Sequence, residues 1–296
     1  MYYLFRIAIV VVPRLPGWFV LFLANAIGLV AWLIASKPRK QATANILHIL
    51  GKPVLATHTG RKRLRQTVRS MFQYSVRNYF ETITLLHLRP ELMMSRIVAV
   101  GTENLEAALA KGKGVILFSA HLGPFDYLIQ WASLKGYKVT IPVERLKDQR
   151  MLDLMIKLRN SHGCQYIPLG GSRPLRSIIQ ALRNNQIVLI TADRAVEGES
   201  IVRPFFGDPA RLPLGPVSLS LRTGAPLVGV FGSYTSSKLM LGEFVPLSLE
   251  LTEEEQANSD KLICGMIEIM ERFIKAHPEQ WVVFSKIWIS DSAGTS

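Results

Sequence analysis

His121 and Asp126 are the residues whose types and spacing first point to chemistry. An imidazole beside a carboxylate is the arrangement of a general base and its orienting partner. The carboxylate accepts the hydrogen bond of one ring nitrogen and fixes the tautomer that leaves the other free. It also stabilises the imidazolium that forms when the base takes a proton. On one continuous helix, residues five apart diverge by about 140°, so such a pair needs a break between its members. The local sequence supplies one. Val115 to Ala120 is an apolar run of the length of a strand buried on both faces. Pro124 has no amide hydrogen and a preset φ, and the residue before a proline avoids the α region, which predicts a helix starting at Pro124 with Gly123 as its cap. His121 then lies on the loop leaving a strand and Asp126 in the first helical turn. Free amides at that helix start, near Gly123, face the same place and suit an oxyanion or phosphate. A purely structural reading fits the spacing equally well. A carboxylate near the third helical position supports a helix start, and a histidine at a strand end can bond a loop carbonyl.

Other chemistries find less support. No G-x-S-x-G elbow is present, and Cys164 and Cys264 lie in no motif. Direct activation of an acceptor hydroxyl therefore fits better than a covalent enzyme intermediate. His48, His58, His87, His162 and His277 have no carboxylate at comparable spacing, and no metal site is expected. Lys111-Gly-Lys-Gly114 lacks the full phosphate-loop spacing. Two cysteines are too few for a disulfide framework and fit a reducing compartment.

The elements that must position the pair follow from the pattern along the chain. After Pro90, short apolar runs alternate with helical ones. Strands are expected at 97–100, 115–120, 138–143, 166–168, 187–191, 227–231 and 239–247, with a last short run at Trp281–Phe284. Helices are expected at 103–111, 124–135, 148–160, 174–184 and 253–276. This alternation predicts an α/β fold, a mixed, mostly parallel sheet flanked by helices. The stretch from Ala192 to Leu214, interrupted by glycine and proline, reads as a long functional loop. Residues 61–88 read as an amphipathic helix through Leu64, Val68, Met71, Phe72 and Val76.

The 296 residues are 49% hydrophobic, enough for one large core, and carry a formal charge of +13 with a pI near 9.9. Such a balance suits a polyanionic partner. A mean hydropathy of +0.21 favours an anionic membrane surface over nucleic acid, which would have to be met by the arginine-rich stretch 61–77, where aromatics are few. Residues 15–36 carry no charge, and Trp18–Ala35 is about as long as one hydrocarbon crossing requires. Trp18 and Trp32 lie near its ends, where indoles prefer the interface. An N-terminal hydrophobic membrane helix is thus expected, with spanning and single-leaflet placements both open. Lys37, Arg39, Lys40, Arg61-Lys-Arg-Leu-Arg65, Arg69 and Arg77 follow it. By the positive-inside rule the bulk of the chain faces the cytoplasm.

The block from Gly101 through Lys111-Gly-Lys-Gly-Val-Ile-Leu-Phe-Ser-Ala-His121-Leu-Gly-Pro-Phe-Asp126 resembles the core block of the bacterial lipid A biosynthesis acyltransferase family. That family includes phosphatidylinositol mannoside acyltransferases and belongs to the wider glycerolipid acyltransferase group marked by His-x4-Asp/Glu. Further blocks resemble it in order: Arg39–Asn45, Val143-Glu-Arg145, Lys157–Gly163, Thr191-Ala-Asp-Arg194, Arg203–Gly207, Leu212–Pro216, Leu221–Pro226 and Gln280-Trp281. The resemblance implies a membrane-bound enzyme of the bacterial cytoplasmic (inner) membrane, its catalytic domain on the cytoplasmic face. It implies acyl transfer from an acyl carrier protein or coenzyme A thioester to a glycolipid hydroxyl, without metal or redox cofactor. A lysophospholipid acceptor, and an inactive lipid-binding scaffold of the same fold, are the alternatives. Many lipid A enzymes carry glutamate where Asp126 stands.

Carried over by position, the resemblance makes His121 the base and Asp126 its partner. Arg145 would meet anionic groups of donor or acceptor, as a guanidinium fork suits, and Arg159 fits the binding pattern. Asp193 would orient acceptor hydroxyls or Arg145, or else pair with Arg194 as a loop carboxylate. Gly123 would contribute amides to the oxyanion. The implied organisation is a membrane anchor at 1–36, a helical basic membrane-proximal region at 37–97, an acyltransferase core at 98–288 and a frayed tail at 289–296.

Overall fold

The structure is a computed structural model and describes residues 2–160, 163–170, 173–195, 198–247 and 255–289. His162, the first residues of the helix expected from 253, and nearly all of the expected tail lie outside the described residues.

The chain opens with helices α1 (Tyr2–Val11), α2 (Gly17–Ile34), α3 (Ser36–Leu50), α4 (His58–Thr84) and α5 (Pro90–Ser95). The α4 start is set by Thr57, whose hydroxyl accepts a hydrogen bond from the Gly60 amide, as N-cap threonines do. Leu64, Thr67, Val68, Met71 and Phe72 then fall on one buried face. The helix therefore begins a turn earlier than the apolar spacing alone suggests. Helix α2 runs along α4 through Ala24, Gly28 and Trp32, its buried residues, spaced by four. A Cβ on Gly28 would stand 2.5 Å from the Gln73 Cα, so only a glycine lets the two backbones approach this closely. Trp32 is sandwiched by Arg39 and Arg65, whose guanidinium carbons lie 5.6 and 5.1 Å from its ring.

Strands and helices then alternate: β1 (Ile97–Val100), α6 (Thr102–Leu109), β2 (Val115–Ser119), α7 (Phe125–Leu134), β3 (Val139–Val143), α8 (Gln149–Arg159), β4 (Gln165–Pro168), α9 (Arg173–Arg183) and β5 (Ile187–Thr191). After these come β6 (Ser200–Phe205), β7 (Asp208–Pro213), α10 (Gly215–Thr223), β8 (Leu227–Tyr234), β9 (Met240–Pro246) and α11 (Glu255–Ala276). Seven strands form one sheet in the order β1-β9-β8-β2-β5-β3-β4. All neighbours are parallel except β8 and β9, so the sheet is mixed and mostly parallel, with helices flanking it. Strand β2 is central and wholly buried. Its Ile116 and Phe118 join the apolar core on one face, with Trp281 and Trp288. Its Val115 and Leu117 join the core on the other, with Tyr127 and Trp131.

Two expectations change. Part of the long connection 192–214 is not a loop but the two-stranded antiparallel pair β6–β7. Phe206 and Gly207, with φ of +52° and +83°, form its two-residue turn, the positive-φ pair that matches strand twist. Prolines at 204, 209 and 213 hide these strands from a propensity reading. Conversely, Trp281–Phe284 forms no strand; Trp281 makes a single bridge to Leu122.

The Gly28 contact predicts that Gly28→Ile destabilises the packing of α2 on α4 by about 1–3 kcal/mol, the usual cost of overpacking. Thermal unfolding and protease sensitivity of the α1–α2 connection measure it; an unchanged melt and digestion pattern would contradict the packing.

Candidate active site

Strands β2 and β5 lie side by side, parallel and in register, with Ser119 opposite Thr191. The Ala192 amide continues the ladder to the Ser119 carbonyl at 2.7 Å. Two residues past each paired position stand His121 and Asp193, so the register itself brings them together. His121 Nδ1 lies 2.8 Å from Asp193 Oδ1. The His121 amide donates to Oδ2 at 2.9 Å, and Trp281 Nε1 donates to the same oxygen at 2.7 Å.

Asp193 is fully buried, whereas the imidazole keeps 23% of its surface exposed. Burial opposes the aspartate charge, but the adjacent imidazole and the hydrogen bonds from His121 and Trp281 outweigh it and hold the carboxyl below its ordinary value. With Nδ1–H assigned to the carboxylate, Nε2 is the acceptor of the neutral ring. The edge of Phe125 stands 6.0 Å from the His121 ring, centroid to centroid.

Asp126 does not fill the role expected of it. Helix α7 starts at Phe125, one residue later than predicted, with Pro124 as its N-cap. From the first turn the Asp126 carboxylate points into a buried ionic network. Arg159 Nε lies 3.0 Å from Oδ1 and Arg159 Nη2 donates to Oδ2 at 3.1 Å. Thr82 Oγ1 donates to Oδ2 at 2.7 Å, and the Tyr166 hydroxyl is 3.4 Å from Oδ1. The carboxylate that orients His121 is thus Asp193, and Asp126 holds Arg159. The physical reason is that Asp193 comes from an in-register neighbouring strand, whereas Asp126 turns with its helix toward α4 and α8. Arg159 stays 21% exposed and lies 5.9 Å from the Phe125 ring, which also meets the His121 ring.

The remaining candidates spread along the same carboxyl edge of the sheet. Arg145, after β3, is exposed and donates to the carbonyls of Leu169 and Gly170 after β4. Arg194 pairs with Glu144 at 3.2 Å, not with Asp193, whose oxygens serve His121 and Trp281. Arg145 likewise bonds the loop after β4 rather than Asp193. Gly123 is needed for its backbone. Its φ is +57°, and a Cβ there would lie 2.3 Å from the Gly232 carbonyl oxygen. Its amide donates to the Gln280 carbonyl at 3.0 Å and its carbonyl accepts from Asn78 Nδ2 at 3.1 Å. The Gly123 amide is therefore engaged and is no free oxyanion donor.

The C-terminal segment frames the turn. Besides the Gly123–Gln280 bond, the Val282 amide donates to the His121 carbonyl at 2.9 Å. The Gln280 side chain bonds both backbone groups of Tyr234. Sequence reasoning missed Trp281 as a partner of Asp193, and Asp193 as the partner of His121. A signal existed. Val-Ile-Leu-Phe-Ser-Ala-His121 and Ile-Val-Leu-Ile-Thr-Ala-Asp193 are two apolar runs of equal length, each ending in alanine and then a titratable residue.

A family model described as bacterial lipid A biosynthesis acyltransferase matches residues 1–290. Among curated proteins, the phosphatidylinositol mannoside acyltransferase of Mycobacterium tuberculosis is 29% identical over 254 residues, covering 85% of this chain and 78% of that protein. The protein of the same description from Mycolicibacterium smegmatis is 25% identical over 257 residues, covering 85% and 80%.

The geometry predicts that Asp193→Asn lowers turnover by about 10²–10⁴-fold, because an amide can hold the wrong imidazole tautomer. The depressed carboxyl also has a sign in stability. A carboxylate held below its unfolded value of about 3.9 stabilises the fold above that pH, and the gain is lost as pH falls through the folded value. Melting curves of wild type and Asp193→Asn should therefore be furthest apart near neutrality and converge on acidification; a gap independent of pH would contradict the assignment.

Proposed function

Because the chain belongs to the bacterial lipid A biosynthesis acyltransferase family, we propose that it transfers a fatty acyl group from an acyl carrier protein or coenzyme A thioester to a hydroxyl of a glycolipid. A lipid A precursor or a phosphatidylinositol mannoside is the acceptor class, the latter being what the relatives' names specify. The observation that carries this reading is the hydrogen-bonded pair of a part-exposed His121 and a buried Asp193 at the end of adjacent parallel strands.

In the proposed reaction Nε2 of His121 removes the acceptor hydroxyl proton as that oxygen bonds to the thioester carbonyl carbon. Asp193 keeps the ring in the productive tautomer and offsets the imidazolium charge. The tetrahedral oxyanion then collapses, the carbon–sulfur bond breaks, and the imidazolium proton goes to the departing thiolate. No metal or redox cofactor enters these steps. With the Gly123 amide engaged, Arg159 is the cation proposed to meet the negative charge, since it is part-exposed and, like His121, contacts the Phe125 ring. Preorganised charge of this kind is often the largest catalytic term. Asp126 is then a positioning residue that fixes Arg159. Arg145 and Arg194, on loops at the same sheet edge, are assigned to anionic groups of donor or acceptor.

Residues 1–36 serve as membrane attachment, 37–97 as a basic membrane-proximal region and 98–288 as the acyltransferase core, on the cytoplasmic face of a bacterial inner membrane. The partners in this reading are an acyl-thioester donor, a lipid acceptor and an anionic membrane surface; nucleic acid is not one. A lysophospholipid acceptor is the second reading, since aspartate at position 126 is the form common in the wider glycerolipid acyltransferase group and leaves the acceptor open.

The test is transfer from acyl carrier protein and coenzyme A thioesters in membranes supplied with glycolipid or lysophospholipid. His121→Ala should reduce transfer by about 10²–10⁴-fold, the usual worth of a general base. A well-folded variant with near-wild-type transfer would remove His121 from the chemistry, and absence of turnover by the wild type with every acceptor would point to a lipid-binding scaffold.

A further inference from the structure

Helix α2, with 18 residues and a mean hydropathy of 2.1, is the one helix among the described residues long and apolar enough to cross a bilayer. Its surroundings argue against a crossing. At its C-terminal end Trp32 lies between Arg39 and Arg65. In its middle Gly28 abuts Gln73, and Gln73 Nε2 donates to the Asn25 carbonyl at 3.3 Å. At its N-terminal half Leu21 and Ala24 border a cavity of about 390 Å³ shared with Tyr74, Arg77, Ser236 and Ser237. Helix α2 thus rests on the body along one face from Leu21 to Trp32.

The helix before it returns to that body as well. The Phe5 ring meets Tyr79 of α4 edge-on at 6.2 Å. Tyr2, Phe5 and Ile9 pack on Met151, Met155 and Leu158 of α8, and Arg150 lies 5.1 Å over the Tyr2 ring. A crossing α2 would span about 27 Å, close to the full hydrocarbon core. It would leave α1 on the far side, away from α8. It would also draw Arg65, Gln73 and Arg77 of α4 into hydrocarbon, where ionised side chains are costly. Meanwhile both helices leave large apolar side chains exposed, among them Tyr3, Ile7, Val10, Phe22, Val30 and Leu33. Cations flank them: Arg14, Lys37, Lys40, Arg61, Lys62 and Arg63 are exposed. An apolar face rimmed by cations is the pattern of a helix pair lying in an anionic interface.

We infer that α1 and α2 dock the enzyme on one leaflet of an anionic bilayer, with both ends of α2 on the side of the catalytic body. The inference rests on the membrane attachment proposed above but not on the proposed chemistry. Since α1 packs on α8, which ends at Arg159, the docked face borders the candidate site.

The full chain supplies its own reporter: Cys264 is exposed on the body and Cys164 is buried. Gly17→Cys adds a thiol at the N-terminal end of α2, where a Cβ meets nothing within 4 Å. The protein is added to preformed, sealed vesicles of phosphatidylglycerol and phosphatidylethanolamine and floated. A membrane-impermeant maleimide is supplied either outside or trapped in the lumen. Docking on one leaflet predicts flotation, with both thiols labelled from outside and neither from the lumen. Lumenal labelling of Gly17→Cys with outside labelling of Cys264 would establish a crossing and overturn the inference, as would failure to float. Acyl transfer on the same vesicles is a separate readout: lumenal labelling with turnover intact defeats the docking geometry alone, and outside labelling without turnover defeats the chemistry alone.

Discussion

A single buried carboxylate, that of Asp193, receives hydrogen bonds from the ring and amide of His121 and from the indole of Trp281. A carboxylate taken out of water is costly unless its charge is met and its lone pairs are used. Here three donors from two parts of the chain meet that demand together. One is a backbone amide fixed by strand β2, another is the imidazole, and the third comes from near the C-terminus. The arrangement gives the imidazole one orientation and one tautomer while leaving its far nitrogen toward solvent. The orientation of His121 thus depends on what its buried partner requires.

Around this contact the structure separates two residues that a short motif joins. The His-x4-Asp spacing places both residues at one strand-to-helix turn, but their charges are satisfied in different directions. His121 is held from the β5 side, whereas Asp126 is tied to Arg159, Thr82 and Tyr166. The tight turn between them permits this divergence. Gly123 adopts a positive φ within touching distance of the Gly232 backbone, a close approach that a side chain would block. Asn78 of α4 and Gln280 near the C-terminus each bond one of its peptide groups. The amphipathic helix α4 therefore braces both α2 and the turn that bears His121.

Much of this was legible in the amino-acid order. The continuous apolar run at 115–119 marks a strand buried on both faces, and the alternation after residue 97 marks the α/β sheet, because periodicity and turn residues are local signals. The β6–β7 pair was hidden because its prolines mimic a loop, although Phe206-Gly207 holds the turn. The partner of His121 was hidden for a different reason. Spacing favours the carboxylate nearest in sequence, whereas strand neighbours are set by sheet order, which places β5 beside β2 across 72 positions. The parallel endings at Ala120-His121 and Ala192-Asp193 were the available clue. Trp281 had no such clue, because an isolated bridge leaves no periodic pattern.

The bonds from Gln280, Trp281 and Val282 to the turn at His121 also bear on how the protein is made. Synthesis proceeds from the N-terminus, so α1 and α2 emerge well before the residues that complete the turn. While the ribosome still holds that final stretch, the indole donor to Asp193 is missing and the Gly123 amide has no carbonyl to meet. The apolar helices α1 and α2 are thus complete before the turn that bears His121 is braced. The final seating of the His121–Asp193 contact is thereby coupled to emergence of the C-terminal segment, so a product truncated before Gln280 would carry α1 and α2 with the Asp193 carboxylate lacking its indole donor.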